Sequence, residues 1–331
     1  MFDHYIAVDW AQKNMAIARM TKSAKAPSVI DVPADIKELQ LYLRKLKGKI
    51  ILTFEETTTS QWLYTELKPC VNEILVCDPY RNKLLSDGSK SDKTDAIKLV
   101  QLLRGNLLRV VFHSGDEFIY LRKIVSGYED LIKSGVRLKN QRWALFRAQG
   151  KDDLKEELNH PAERFVLQDL DGGISEYERE KEQYEKEFEI LRKNNEIIRC
   201  LKSIPGIGTI SAVKIAALVV DPKRFPTKGH FFAYCGLIKH DKISGGHSYG
   251  KRNPRYSRTL KSVFKTCTLV AISERLNNPI RSRYEYYINQ KRYSEHNARQ
   301  AICRWIATLA LAVMREKKKY SPTRSLECKV S

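Results

Sequence analysis

The first 112 residues alternate between short apolar runs and longer amphipathic segments. A two-residue period predicts five strands, at residues 4–9, 15–20, 49–55, 73–77 and 108–112. A helical period predicts three helices, at residues 36–46, 60–67 and 94–103. Residues 1–112 are therefore expected to form an α/β domain.

Two successive strands, followed by mixed strands and helices, favour an RNase H-like sheet for this first domain. The alternation of elements by itself also allows other α/β folds.

Residues 113–200 are expected to form a helical spacer. Between residues 116 and 150 the apolar positions follow one helix face, and the opposite face is basic. After the break Asp171-Gly172-Gly173, a seven-residue repeat predicts a second helix and an antiparallel coiled-coil-like hairpin. Its members are Tyr177, Tyr184, Leu191 and Ile198. Two ordinary helices packed on a core explain this pattern equally well.

Residues 201–331 are expected to form a mostly helical domain. Its entry contains Gly206 and Gly208, directly before an apolar helical run at residues 210–220. Backbone N–H groups at such a helix start can bind a phosphate, as in the hairpin of helix-hairpin-helix modules. A tight interhelical turn is the alternative interpretation.

Charge is unevenly distributed along the chain, whose net charge is +20. Residues 151–190 contain 14 acidic and 6 basic residues, whereas residues 251–331 contain 19 basic and 5 acidic ones. Aromatic residues interleave this basic end, at Tyr249, Tyr256, Tyr284, Tyr286, Tyr287, Tyr293 and Trp305. Phosphate neutralisation combined with stacking surfaces favours a nucleic-acid partner. A solvated helical surface with core aromatics is the alternative.

Cysteine usage and hydropathy indicate the compartment. The seven cysteines are scattered, without a Cys-x-x-Cys pair, which predicts reduced thiols. The chain starts with a strand pattern rather than a signal peptide, and its most apolar late segment, residues 306–314, is too short to span a membrane. We therefore expect a cytoplasmic protein without membrane contact, associated with the nucleoid if its partner is DNA.

Four carboxylates stand at the ends of predicted elements. Asp9 ends an apolar run, Glu55 ends another, and Asp92 and Asp95 lie one turn apart at a predicted helix start. Because burying an unpaired carboxylate costs several kcal/mol, clustered carboxylates imply a cation. Oxygen ligands favour Mg²⁺, with Mn²⁺ as an alternative, and hence chemistry on phosphodiesters.

Two local alternatives compete with this metal hypothesis. Either Ser91 or Asp92 can simply cap the predicted helix, although capping leaves Asp9 and Glu55 unexplained. Glu56 neighbours Glu55 but points to the other strand face, so only one of the two is expected in the cluster.

A second group of polar residues surrounds Ser244, in the polar loop 243–250. Most loop serines only stabilise turns, and serine becomes a nucleophile when a base, a metal or a positive field assists it. Positive neighbours are Lys239, His240, Lys242, His247, Lys251 and Arg252. We interpret His247 as a surface or phosphate-contacting group, since no second histidine stands at metal-ligand spacing.

The motifs in order resemble a known family. They are Asp9, Glu55-Glu56-Thr57, Ser91-Asp92-Lys93-Thr94-Asp95-Ala96, Ser203-Ile204-Pro205-Gly206-Ile207-Gly208, Phe232-Ala233-Tyr234-Cys235-Gly236-Leu237 and Ser244-Gly245. This order is similar to that of the DEDD insertion-sequence transposases related to Piv-type DNA invertases, over about residues 3–320. Two departures are Thr58, where the family commonly has glycine, and the segment around Asn253-Pro254 and Lys261.

The resemblance implies a RuvC-like domain at residues 1–112, a coiled-coil-like spacer at 113–200 and a C-terminal transposase domain at 201–331. It implies that Asp9, Glu55, Asp92 and Asp95 bind Mg²⁺ and that Ser244 is the nucleophile that forms a phosphoserine link. The implied partners are target and donor DNA and a guide RNA encoded by the element. Strand exchange needs several cleavages held together, so we expect a homodimer or tetramer.

Nucleic-acid contacts are expected from the basic helix of the spacer, the Gly-x-Gly entry and the segment after the serine. The expected residues are Arg122, Lys123, Lys133, Arg137, Lys139, Arg142, Gly206, Gly208, Lys251, Arg252, Arg255 and Arg258.

Three other functions fit parts of the sequence. A RuvC-type hydrolytic DNA endonuclease or resolvase would use water, with Ser244 as a mere loop residue. A non-catalytic nucleic-acid-binding derivative would keep only the fold. A sugar kinase of actin-like architecture is disfavoured by the basic C-terminal half and by the missing Gly-rich phosphate loops.

Overall fold

A computed structural model of the protein describes residues 1–80, 91–113, 118–151, 157–275 and 277–322. The chain divides into two compact units, Met1–Gly115 (unit 1) and Asp116–Ser331 (unit 2). The helices of the expected spacer belong to unit 2 in this division. The three-domain organisation stays a prediction.

Unit 1 is built on a six-stranded mixed sheet in the order β3-β2-β1-β4-β5-β6. The strands are β1 (His4–Trp10), β2 (Asn14–Thr21), β3 (Ser28–Pro33), β4 (Ile50–Glu55), β5 (Glu73–Cys77) and β6 (Val110–Val111). Strands β1, β4 and β5 run parallel to one another, and the other three are antiparallel to their neighbours. The mixed α/β organisation is compatible with an RNase H-like domain.

Helices cover both faces of this sheet, namely α1 (Ile36–Lys45), α2 (Ser60–Leu67) and α3 (Asp92–Arg104). One core joins even-numbered residues of β1 and β4 to α1 and α2, with members such as Ile6, Val8, Leu52, Phe54, Leu39 and Leu63. The other core joins the opposite sheet face to α3, with members such as Ala7, Ala16, Ala18, Ala96 and Val100. Because the sheet contributes small alanines there, α3 can pack close to it.

The structure contains all five strands and all three helices that the sequence predicts for unit 1. One further described strand was not predicted. The missed strand, β3, is an edge strand whose side chains are mostly exposed and which ends at Pro33. A strand without a buried face has no alternation for the pattern to detect.

Unit 2 is mostly helical. Its helices are α4 (Phe118–Arg147), α5 (Pro161–Asn194), α6 (Glu196–Lys202), α7 (Thr209–Val219), α8 (Lys228–Tyr234), α9 (Arg258–Ala271), α10 (Pro279–Asn289) and α11 (Glu295–Glu316). One core joins them, and its fully buried residues include Phe188, Ile198, Val213, Phe264 and Ile306. A two-stranded hairpin, β7 (His240–Ser244) and β8 (His247–Arg252), completes the unit.

Helices α4 and α5 form an antiparallel hairpin in which tyrosines of α5 pack against glycines of α4. The Tyr177 ring occupies the space that a side chain at Gly135 would need, and Tyr184 does the same at Gly127. Charged side chains also pair across the hairpin, at Lys139–Glu178 (2.5 Å) and Arg142–Asp171 (2.6 Å). The acidic helix therefore neutralises part of the basic one.

The predicted start of the second helix after Asp171-Gly172-Gly173 is wrong, because α5 begins at Pro161 and continues through both glycines. Glycine inside a helix costs about 1 kcal/mol relative to alanine. Gly173 allows a close approach to α4, since an added Cβ there would come 3.3 Å from Leu138 Cδ1. The seven-residue repeat is also interrupted, because Ile198 belongs to α6.

Candidate active site

Asp9 lies near the end of β1, on the sheet face that α3 covers. Its strand neighbours alternate, because Ile6 and Val8 are buried with α1 and α2 whereas Ala7 is buried with α3. Asp9, two residues beyond Ala7, therefore projects on the α3 side.

Glu55 ends the adjacent parallel strand β4 on the same face. Phe54 is buried on the opposite face, and Thr53 is the register partner of Ala7. Glu55 lies two residues beyond Thr53, just as Asp9 lies two residues beyond Ala7. The same alternation directs Glu56, which is exposed, away from α3.

The first turn of α3 contributes the other two carboxylates. The Ser91 hydroxyl caps this helix by accepting from the Thr94 N–H at 3.2 Å, so Asp92 is not the cap. Asp92 is exposed and Asp95 is half-buried. The positive end of the helix dipole favours acidic side chains in this turn.

The four carboxylates interact electrostatically. Burial, followed by repulsion from Asp92, Glu55 and Asp95, raises the pKa of Asp9 from 3.8 to about 6. Burial and then repulsion from Asp95 also raise the pKa of Glu55. This part of unit 1 therefore carries mutually repelling negative charge, which a cation would relieve.

The carboxylates do not converge on a single point. Among the described residues, no group of three or more His, Cys, Asp or Glu side chains is arranged to hold a metal ion. Their chemistry nevertheless fits a hard divalent cation, because all four donors are carboxylates and a cation would offset both the burial and the mutual repulsion that raise the pKa of Asp9. Binding such a cation would require these side chains to draw together.

A turn after β4 fixes the backbone beside Glu55. The buried Ser60 hydroxyl accepts from the Thr57 N–H at 2.5 Å and donates to the Thr57 carbonyl at 2.8 Å. Thr58 is not among the described non-glycine residues that have a positive φ. The turn thus forms without the backbone conformation that favours glycine at this position.

Asp78 is a further strand-end carboxylate, which the sequence argument missed. It directly follows β5 and is 5 % exposed. Its carboxylate accepts from the Tyr80 N–H at 3.0 Å, and its own N–H donates to the Arg109 carbonyl at 2.8 Å. The signal that selected Asp9 and Glu55, an acidic residue at the end of an apolar strand, also selects Asp78.

Ser244 is the last residue of β7 and stands at the tip of an exposed hairpin. Every residue of β7 and β8 is exposed. Gly245 and Gly246 form the two-residue turn with φ values of 55° and 80°, which suit a type I′ hairpin. The segment interpreted as a polar loop is therefore a β-hairpin that presents its serine to solvent.

His247 is the cross-strand partner of Ser244. Side chains of directly opposed residues lie on one face, with Cβ atoms typically about 5 Å apart. The Ser244 and His247 side chains therefore lie on the same face of the hairpin. The sequence contained a signal for this pair, since a Gly-Gly dipeptide between strand-like residues indicates a hairpin turn.

The basic residues expected to bind nucleic acid on α4 fall into two groups. Four make contacts within unit 2: Arg122 with the Ala217 carbonyl, Lys133 with Asp130, Lys139 with Glu178 and Arg142 with Asp171. Lys123 and Arg137 are exposed on the same helix. Four expected basic residues at and after β8 are also exposed, namely Lys251, Arg252, Arg255 and Arg258.

The two glycines of the Gly-x-Gly entry have different surroundings. Gly206 has φ 87°, and a Cβ there would overlap the Cys267 carbonyl and Ala271 of α9. Gly208 is the N-cap residue of α7, and a Cβ there would meet open space. Gly206 thus permits close packing of an interhelical turn, and the nucleic-acid role of both glycines stays a prediction.

Two family models match the chain. Residues 6–148 match a model described as transposase, of the DEDD IS110 type, and residues 198–285 match the transposase IS116/IS110/IS902 family. Together these segments span more than half of the chain. A search of curated proteins found no match. In the described part of the chain, no helix has the length and hydropathy that crossing a membrane requires.

Proposed function

Because the chain belongs to the IS116/IS110/IS902 family of DNA transposases, we propose that it cuts and rejoins the ends of an insertion sequence through a covalent phosphoserine intermediate. The observation that carries this proposal is the hairpin that holds Ser244 exposed at its tip, directly opposite His247. A serine that only stabilised a turn would need neither this exposure nor a neighbouring proton acceptor.

In this proposal unit 1 is a RuvC-like domain, and Asp9, Glu55, Asp92 and Asp95 are the residues that hold Mg²⁺ or Mn²⁺. When bound, the cation would neutralise the carboxylates and polarise the scissile phosphate. The packing of α3 against β1 keeps the two aspartates of its first turn on the same sheet face as Asp9 and Glu55.

Ser244 performs the covalent step. Its Oγ–P bond forms while the bond from phosphorus to the leaving sugar oxygen breaks, and the leaving oxygen takes a proton from water. The hydroxyl proton of Ser244 passes to the imidazole of His247. In religation a sugar hydroxyl of another strand attacks the phosphorus and gives its proton to the hydroxide left by the first step. The P–Oγ bond breaks at the same time, and the Ser244 oxygen takes back its proton from His247. The link conserves the energy of the broken bond, so exchange needs no nucleotide hydrolysis.

Guidance by an element-encoded RNA, and a dimeric or tetrameric assembly, complete the proposal. The net charge of +20 supports binding of a second polyanion besides DNA. Sequencing the RNA that co-purifies with the protein tests the guidance. Discrete RNA encoded beside the gene is the expected result, whereas bulk cellular RNA would contradict it.

The serine mechanism is tested with Ser244→Ala and a matched variant, Ser248→Ala, which alters another exposed serine of the same hairpin. Protein–DNA adducts on plasmids that carry the element's ends are resolved by denaturing electrophoresis, and junction formation is measured in parallel. Ser244→Ala should abolish the adduct and lower exchange by at least about 1,000-fold. Ser248→Ala should retain both.

If Ser244→Ala cleaved strands as well as the wild type, the attacking group would be water, and the protein would act as a RuvC-type nuclease. Undiminished junction formation by both Ser244→Ala and Asp92→Asn would contradict the proposed chemistry altogether.

A further inference from the structure

Three tyrosines, of which Tyr286 and Tyr293 are exposed and Tyr287 is partly buried, form a platform where α10 ends. The platform lies outside both matched family segments, of which the later one ends at residue 285. The rings of Tyr287 and Tyr293 are stacked, with centroids 5.4 Å apart and planes inclined by 10°. Tyr286 lies beside them, its ring centroid 6.0 Å from that of Tyr287. Tyr286 and Tyr293 are 47 % and 45 % exposed, so about half of each residue is accessible to a ligand.

The backbone holds this tyrosine platform in place. The chain folds back after α10, where the Tyr293 N–H donates to the Tyr287 carbonyl at 2.9 Å and the Lys291 N–H donates to the Tyr286 carbonyl at 3.1 Å. The intervening Arg292 has φ 51°, a left-handed conformation that costs about 1 kcal/mol or more for a residue other than glycine. The stacked rings are therefore ordered before any ligand arrives.

An arginine of α10 supports the platform and connects it to α11. Arg283 Nε donates to the Tyr287 hydroxyl at 3.1 Å, and its guanidinium lies 4.6 Å from the Trp305 ring centroid. Tyr287 is thus fixed at both its hydroxyl and its ring face. Pre-organised aromatic rings lose little conformational entropy when a planar ligand stacks on them.

The surroundings of the platform are positive. The two acidic residues nearby in sequence are paired within their own helices, Glu285 with Arg281 at 2.8 Å and Glu295 with Arg299 at 2.7 Å. The basic residues outside these ion pairs are Arg283, Lys291 and Arg292. The platform therefore combines open aromatic faces with a local excess of positive charge.

We propose that the tyrosine platform binds single-stranded nucleic acid by stacking an unpaired base on Tyr293, while Lys291 and Arg292 contact the adjoining phosphates. Aromatic faces beside cations suit unpaired bases, which offer a planar ring and a phosphate together, whereas a duplex keeps its bases stacked internally. The inference rests on the proposed function, because strand exchange exposes unpaired strands.

The test measures equilibrium binding of fluorescein-labelled 20-nucleotide oligothymidylate, oligouridylate and a mixed-sequence duplex, with EDTA present to prevent cleavage. Tyr293→Ala should bind the single strands about 10-fold more weakly and the duplex unchanged. Tyr293→Phe, which keeps the ring, should bind like the wild type. The single strand that binds more tightly identifies DNA or RNA as the source of the bases.

Two further variants separate stacking from charge and from general damage. Lys291→Ala should reduce the slope of log affinity against log salt by about one, whereas Tyr293→Ala should leave this slope unchanged. Tyr120→Ala removes a 63 % exposed tyrosine from α4 and should not alter binding. Thermal unfolding checks that each variant is folded.

Several results would overturn the platform assignment. These are wild-type affinity in Tyr293→Ala, an equal loss for duplex, or an equal loss in Tyr120→Ala. If Tyr293→Ala changed the oligomeric state but bound oligonucleotides with unchanged affinity, the tyrosine rings would instead form contacts between copies of the chain. None of these binding results depends on Ser244, whose failure as nucleophile would appear only in the cleavage assay.

Discussion

Replacing Asp9 by asparagine tests whether burial and the neighbouring carboxylates destabilise the ionised Asp9 side chain. Burial and the charges of Asp92, Glu55 and Asp95 raise the pKa of Asp9 from 3.8 to about 6. The ionised carboxylate therefore destabilises the folded state at neutral pH. The uncharged amide of Asp9→Asn should raise the free energy of unfolding while abolishing strand exchange.

The pKa change sets the magnitude. A rise from 3.8 to about 6 corresponds to roughly 3 kcal/mol at pH 7, and solvent screening of a half-buried carboxyl leaves about 1 to 1.5 kcal/mol. The penalty is full above pH 6, declines as pH falls towards 3.8 and vanishes below it, since Asp9 is then protonated in both folded and unfolded states. The gain from asparagine should follow the same course.

Urea unfolding at pH 7, 5 and 3.5, with EDTA, measures this gain. Asp31→Asn is the control, because Asp31 only forms an exposed ion pair with Lys93 at 3.7 Å and should change stability by less than about 0.5 kcal/mol. Added Mg²⁺ at 100 times its Kd should stabilise the wild type by about 2.7 kcal/mol and Asp9→Asn by much less.

The electrostatic reasoning is refuted if Asp9→Asn is no more stable than the wild type at pH 7 without metal. It is equally refuted if the gain does not shrink between pH 7 and 3.5. A gain in stability without any difference in the response to Mg²⁺ would support the destabilising effect of ionised Asp9 but contradict the proposal that Asp9 binds the cation.

The remaining predictions use adjacent or near-adjacent residues as controls. Glu55→Gln should lower strand cleavage by at least about 10- to 100-fold and weaken Mg²⁺ binding. Glu56→Gln, which changes the residue directly after β4, should leave both near wild type. Equal losses in plasmid cleavage and titration assays would contradict the assignment of faces. Gly206→Ala should lower the free energy of unfolding by about 2 to 4 kcal/mol, because its Cβ would overlap α9 at φ 87°. Gly208→Ala should change it by less than about 1 kcal/mol in the same urea experiment, and similar losses in both variants would disprove the packing argument.

The placement of Asp9 and Glu55 illustrates how much of the candidate site could be predicted. Each ends an apolar run, and side chains alternate strictly along a strand, so the sequence restricts which face each carboxylate occupies. The choice of Glu55 over Glu56 in the sequence came from the family resemblance, and the burial of Phe54 places Glu55 on the α3 face. Ser91, Asp92 and Asp95 were likewise recognisable as a helix start from local residue types.

Other features depended on partners distant in sequence. Arg122 contributes to a basic helix face, yet its guanidinium donates to the Ala217 carbonyl 95 residues later. The glycines after Asp171 signalled a break, yet Gly173 packs within α5 against Leu138. Local propensities of about 1 kcal/mol are small beside tertiary packing, which no short window of sequence contains.

The sequence by itself determined the α/β unit and the helical unit, the positive charge and the positions of Asp9 and Glu55 at strand ends, because period, composition and capping are local properties of the chain. Only the tertiary structure decided that Asp9 interacts with Glu55, Asp92 and Asp95. It also decided that Ser244 and His247 oppose each other at the tip of an exposed hairpin, and that Tyr287 and Tyr293 stack. These features arise from chain reversal and from packing between separate elements, and their energies depend on distances that spacing along the sequence does not fix.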